Sequence, residues 1–301
     1  MSIGTNSSIV LHLDSQFASS QLSSDHTTNF IYNLKESVEV PEHELCEVSL
    51  YSATIPYSFY NINDTNNEFS VAVKLTTEAS ERIHTLQLSN GNYTANSLGT
   101  AFVTLIQALA DVVVKTLVFT VTYNRVTLKY DIKQTHTVSN EQYVHVNFTK
   151  SGGLFGFENN TNIDFTTNVT VSGTKAADLN DSIRGLYVRQ NLTSKSTLDN
   201  ETGTFSNILA RVPITTNPGG VIFFNPTSHV HRANTWLHSI SSVGIKLTND
   251  KNQLINLNGL HFSLSILVKF VKFRNPIERR PLNIERKKVK DTKKRKDKKK
   301  R

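Results

Sequence analysis

The chain predicts a mainly β protein: an eight-stranded single jelly-roll sandwich with a small α+β domain inserted and a basic C-terminal tail, disordered when unbound. Three observations carry this. Strand-like runs fall three before residue 62 and five after residue 182. The stretch between them follows a different plan and holds the one convincing helical pattern. From Asn275 the apolar pattern stops altogether. The boundaries that follow are 1–62 and 182–274 for the sandwich, 63–181 for the insert and 275–301 for the tail.

In the first block, residues 9–13, 30–34 and 45–55 read as strands separated by Ser-, Asp- and Pro-bearing connections. Pro41 and Pro56 bracket the third, where ladder donors are not needed. The insert opens with strands at 69–75 and 83–88, then Gly91-Asn92-Tyr93-Thr94. Thr94 is placed to cap a helix running to about Val113. Leu98, Ala101, Phe102, Leu105, Leu109 and Val112 supply one buried stripe at helical spacing. Strands at 117–123, 126–132 and 143–148 follow, the first two joined by a tight turn at Asn124-Arg125. One helix on an antiparallel sheet is the expected insert. It can sit in a loop at little entropic cost if it folds by itself and its ends lie close together.

The second block contributes strands at 183–190, 205–214, 221–224, 236–247 and 260–273. The last is the clearest: Leu260, Phe262, Leu264, Ile266, Val268 and Phe270 alternate with His261, Ser263, Ser265 and Lys269. In the strand before it Leu237, Val243, Ile245 and Leu247 are in phase. Eight antiparallel strands of this length match two Greek keys in facing sheets, with the first strand beside the last.

Charge is distributed unevenly. Of the 33 Lys and Arg residues 15 lie from Arg274 onward, with 4 of the 25 Asp and Glu, so the tail carries +11 and residues 1–273 carry −3. The candidate contact residues of the tail are Arg286, Lys287, Lys288, Lys290, Lys293, Lys294, Arg295, Lys296, Lys298, Lys299, Lys300 and Arg301. Such density favours polyanions through counterion release. Contact with nucleic acid, docking onto an acidic protein surface and nuclear import all remain open. With no aromatics interleaved, nucleic-acid binding would be indifferent to base sequence. The single cysteine, Cys46, excludes an intrachain disulfide and fits a reducing compartment. The first residues lack the basic and apolar regions of a signal peptide, and the longest apolar stretch, residues 266–273, is broken by Lys269 and Lys272. No membrane insertion is expected.

No constellation proposes catalysis, and no cofactor or metal is expected. His229 and His231 with His238 nearby invite a metal reading. A cupin-type site needs a carboxylate as well, and no Asp or Glu occurs from Thr202 through Asn249. Gly152-Gly153-Leu154-Phe155-Gly156 lacks the Lys-Ser/Thr of a phosphate loop and reads as a turn beside buried aromatics. Cys46, in phase with Val48 and Leu50, reads as a buried small hydrophobe.

Several segments carry a family likeness: Leu11-His12-Leu13-Asp14-Ser15, the run from Ala53 to Ile62, Gly91-Asn92-Tyr93-Thr94, Leu154-Phe155-Gly156-Phe157 and Ile208 to Pro213. The closing hairpin at 236–273, with Asn249-Asp250 and Leu257-Asn258-Gly259, completes the set. In these the chain resembles the penton, or minor capsid, proteins of virophages and Maverick/Polinton-type viruses. The resemblance implies a structural virion protein without enzymatic activity, five copies of which close a ring at an icosahedral vertex. It implies a double jelly-roll major capsid protein as neighbour and assembly in the host cytoplasm or nucleus. It also implies that the insert, between the third and fourth sandwich strands, projects outward. Both chain ends would face the interior, near packaged DNA. The near-neutral body suits five copies packing through one repeated interface. The alternative is a jelly-roll module for carbohydrate or receptor binding, in which Trp236 or the Tyr57/Tyr60 pair would stack on a sugar.

Overall fold

The computed structural model describes residues 8–22, 27–75, 80–110, 112, 117–136, 142–165, 168–180, 183–193, 197–198, 205–226, 232–235 and 237–272. Its elements begin with β1 (Ser8–Asp14), β2 (Ser20–Gln21), β3 (Asn29–Glu39) and β4 (Glu44–Pro56). Next come β5 (Glu68–Leu75), β6 (Arg82–Gln87), α1 (Ala95–Gln107), β7 (Leu117–Asn124), β8 (Lys129–His136) and β9 (Gln142–Asn147). A single helical turn, α2 (Gly152–Phe155), precedes β10 (Asn162–Phe165) and β11 (Thr170–Ser172). The rest are β12 (Leu186–Gln190), β13 (Thr197–Leu198), β14 (Phe205–Ser206), β15 (Ile208–Val212), β16 (Val221–Phe224), β17 (Ala233–Thr235), β18 (Ser239–Thr248) and β19 (Ser263–Lys272).

Two antiparallel sheets face each other. One has the order β1-β19-β4-β16, with β17 continuing beside β4; the other is β15-β12-β18-β3-β2. With β16 and β17 taken as one interrupted strand, the eight jelly-roll strands are β1, β3, β4, β12, β15, β16/β17, β18 and β19. Consecutive strands alternate between sheets except at the middle of the series, where β12 and β15 pair within one sheet, as two Greek keys require. The first strand lies against the last, Ile9 opposite Val268 and Leu13 opposite Leu264, as the sequence predicts. Between the sheets lies one apolar core drawn from both ends of the chain, including Leu13, Phe30, Val48, Ile55, Val188, Val212, Ile245 and Val268.

The strand boundaries differ from expectation where the backbone breaks the period of two. In β18, a bulge between Ile240 and Ser242 lets Ile240 and Val243 both point inward although they are three residues apart. Leu237 therefore falls out of phase and is 42 % exposed. The expected strand at 260–273 begins only at Ser263. Asn258 and Gly259 take positive φ (52° and 81°) and turn the chain, leaving Leu260 half exposed. Phe262 stays buried, edge-on to Phe30 at 5.7 Å. The run at 205–214 divides at Asn207 into β14 and β15, and β15 ends immediately before Pro213.

The insert has its own core. Phe69, Val71, Leu98, Phe102, Phe119, Tyr130, Phe148 and Phe155 are among its fully or nearly fully buried members. Instead of one sheet there are two, of order β10-β9-β5-β6 and β11-β8-β7, with α1 packed between them. Phe102 of α1 meets Phe69 of the first sheet at 4.9 Å, and Gly99 faces Val121 and Tyr130 of the second. A Cβ on Gly99 would lie 3.2 Å from Val121, so this glycine sets how closely the helix approaches. The Tyr130 hydroxyl donates to the Ala95 carbonyl at 2.6 Å, fastening the first turn of α1 to β8.

Thr94 caps α1 as expected, in a capping box with Ser97. The helix ends at Gln107, short of Val113. Leu109 and Val112 reach the core through two further turns in which each amide bonds three residues back. β10, an edge strand of the first of these sheets, and β11, an edge strand of the second, escaped sequence reading because both are short and largely polar, so the second sheet did not stand out. The β7–β8 turn is also longer than predicted. Asn124 pairs with Lys129, and the Asn124 carboxamide oxygen accepts from the Val126 and Thr127 amides. Leu128 takes φ 57° to close the loop. Val126 is thereby 93 % exposed at the tip rather than in a strand.

Candidate functional site

The basic tail residues from Arg286 to Arg301 lie outside the described residues, as do His229, His231 and Trp236. His238 is described and exposed. Among the described residues no three His, Cys, Asp or Glu side chains come together to hold a metal ion. No helix among them is long and apolar enough to cross a membrane.

Two Ser–His contacts arise where β1 and its continuation meet β19 and the residues before it. His12 Nδ1 is 2.8 Å from Ser265 Oγ, and Ser15 Oγ is 3.1 Å from His261 Nδ1. Neither leaves a nucleophile open. Ser15 is fully buried and its Oγ also accepts the Phe262 amide at 3.0 Å, so it ties the first strand's end to the last strand's start. Cys46 is fully buried on the inner face of β4. Burial, with the Glu47 charge as a lesser cause, pushes its thiol up to about 11, far from a nucleophilic thiolate. Gly152 to Gly156 forms α2 and its left-handed cap. Gly156 has φ 79°, and a Cβ there would lie 2.3 Å from the Lys175 carbonyl oxygen. The glycines serve close packing beside Phe155 and Phe157, both buried.

What the outer surfaces offer is apolar side chains at sheet edges. β16 and β1 are the two edges of the first sheet. On its outer face Phe223 is 74 % exposed, opposite Thr54, and Val221 lies opposite Pro56. Val10 occupies the same face at the other edge, opposite Leu267.

Where the insert joins the sandwich there is a cleft of about 550 Å³. Residues from both crossings of the chain line it, Tyr57 and Asn61 from the outward one and Leu179, Asn180, Ile183 and Arg184 from the returning one. The outward crossing is pinned by Asn61, whose side chain accepts the Tyr93 amide at 2.8 Å and donates to the Tyr93 carbonyl at 2.9 Å. Ile62 and Gly91 exchange backbone bonds of 3.1 and 3.0 Å. The returning crossing is pinned by Arg184, whose Nη2 lies 2.8 Å from Asp178 Oδ2. On the sandwich side Arg211 of β15 spreads its guanidinium 5.9 Å over the Tyr187 ring. Gly185 leaves it room, since a Cβ there would stand 3.0 Å from Arg211 Nε. Tyr57 stacks on Phe59 at 4.2 Å and is held by backbone bonds to Gly219 and Gly220. Only 7 % of Tyr57 is exposed, and burial raises its phenol above the usual 10.0. Tyr60 is 37 % exposed. The sequence does not announce this cleft, because its walls are contributed by segments about 150 residues apart. The near-adjacent Pro213 and Pro218, which shape one wall, are its only local trace.

No family model and no curated protein matches the chain. Among solved structures, the crystal structure of selenomethionine-labelled mavirus penton protein matches with a TM-score of 0.52 at 12 % sequence identity. The match covers 88 % of this chain and all of that one. At this identity the likeness is one of fold: this chain has a penton-like architecture.

Proposed function

We propose that the protein is a structural capsid component that forms the pentameric vertex of an icosahedral virion. The observation that supports this most is architectural. The sandwich closes its first strand on its last and carries its insert between β4 and β12, and the whole of a known penton chain matches this plan. Residues 1–62 with 182–274 would act as the shell-building domain and 63–181 as a separately folded outward projection. The two independent cores support that division.

The surface chemistry agrees with an assembling protein. Phe223, Val221 and Val10 leave apolar area on the outer face at both edges of one sheet, where a ring neighbour would gain from covering it. A ring of five repeats one heterologous interface until the rotation closes, and a body of charge −3 does not oppose that packing. Major capsid protein would surround the ring, in a particle assembled in the host cytoplasm or nucleus. The described residues discussed above work in packing and in fastening the junction, and no catalytic chemistry is assigned to them.

The tail from Arg286 to Arg301 would face the interior and contact packaged DNA through phosphates alone. The decisive experiment is native mass spectrometry of the full chain, alone and mixed with the major capsid protein. Pentamers are expected; a monomer at high concentration in both samples refutes the vertex role. For the tail, DNA affinity measured against salt should show a log–log slope near about −9 if roughly ten charges engage phosphates. Truncation after Phe273 should abolish binding. A slope near zero rejects phosphate contact.

A further inference from the structure

We propose that the cleft between the sandwich and the insert binds an acidic sugar, with Arg211 holding its carboxylate and the Tyr57 hydroxyl meeting a ring substituent. Its volume of about 550 Å³ falls within the range of small-molecule sites. Arg211 is the cation best suited to the carboxylate. Its guanidinium is oriented in advance by Tyr187 and engages no carboxylate among the described residues. No Asp or Glu is among the described residues that line the cleft. A planar fork of this kind pairs with a carboxylate through two parallel bonds.

The second observation is Tyr57. The residue is 93 % buried, yet its hydroxyl has no hydrogen-bond partner among the described residues, and the residue lines the cleft. The hydroxyl is not among the fully buried atoms left without a partner, so it opens to the cleft and is available to a ligand. Its elevated phenol means that it meets a ligand as a neutral donor. The remaining walls supply what a polyhydroxylated ring needs. Asn92, Asn217 and Thr216 offer neutral donors and acceptors, and Pro213 and Pro218 offer C–H surface. A peptide carboxylate is the competing ligand, and the test below sets one against the sugars.

The proposal does not rest on the capsid reading, since the cleft is formed within one chain. It is tested on the full chain by saturation-transfer NMR and calorimetry. The probes are the methyl α-glycoside of N-acetylneuraminic acid and glucuronic acid, with methyl β-galactoside and a blocked glutamate tripeptide as comparisons. Saturation transfer to an acidic sugar and not to the galactoside is expected. Arg211→Gln should weaken binding about tenfold or more, the loss of a charge-assisted hydrogen bond. Tyr57→Phe should weaken it by a smaller factor of about five, with thermal unfolding unchanged in both variants. Four results each overturn the proposal: no transfer to either acid, equal binding of the galactoside, undiminished binding by Arg211→Gln, or tighter binding of the tripeptide.

Discussion

The Gln134 side chain is buried with no hydrogen-bond partner among the described residues. It lies on the inner face of β8, directly across from Phe119, and its side chain is fully excluded from solvent. Neither its Oε1 nor its Nε2 has a hydrogen-bond partner, although its backbone carbonyl accepts the Asn168 amide at 2.9 Å. Leaving a polar group buried and unsatisfied costs about 1–3 kcal/mol, more than a satisfied hydrogen bond returns. Methionine fills nearly the same volume and suits the aromatic surroundings of Phe119 and Phe165, whose rings meet edge-on at 5.8 Å. Gln134→Met should therefore stabilise the insert by about 1–3 kcal/mol, raising its unfolding midpoint by about 3–12 °C for a unit of this size. Gln134→Glu should destabilise it, because a carboxylate there has no counter-charge among the described residues. Differential scanning calorimetry with far-UV circular dichroism reads both. A Gln134→Met protein that unfolds at a lower temperature than the wild type would refute the reasoning. It would mean that the amide is satisfied by a buried water worth more than the packing gained.

Two further outcomes follow from the shifted groups. Cys46, its thiol at about 11, should resist a colorimetric disulfide reagent at pH 8 in the folded protein and react at once in denaturant; rapid native labelling would contradict its burial. Glu68 is held below its usual 4.5 chiefly by the hydrogen bond from Lys150, whose Nζ is 3.0 Å from Oε2. Its folded value is depressed, so its contribution to stability is present above about pH 4.5 and fades as pH falls through the folded value. A Lys150→Met variant should differ most from wild type near neutrality and converge with it in acid. Carboxyl-resolved NMR titration should show Glu68 returning toward 4.5, and a gap that widens in acid would reject the assignment.

Much of the architecture was legible because period-two burial is written residue by residue. The alternation from Leu264 to Phe270 survives unchanged into β19, and Thr94 caps α1 from its local sequence. Most of the failures share a cause. A bulge at Ile240–Ser242, the positive φ at Asn258, and the polar strands β10 and β11 are all backbone events offset by partners elsewhere in the chain. No window of neighbouring residues contains those partners. The expected Asn124-Arg125 turn failed for a local reason instead, since the Asn124 side chain bonds the Val126 and Thr127 amides and holds a wider loop.

The fold class, the neutral body with its basic end and the interruption of one sandwich by another unit follow from the order of residues, because apolar period and charge are local quantities. Folding alone decided that α1 would be enclosed by two sheets and that Gln134 would be stranded in the core. It alone brought Arg211, Asn61 and Tyr57 around one cleft. Those arrangements depend on distances between segments far apart in the chain, which packing sets and a linear pattern does not contain.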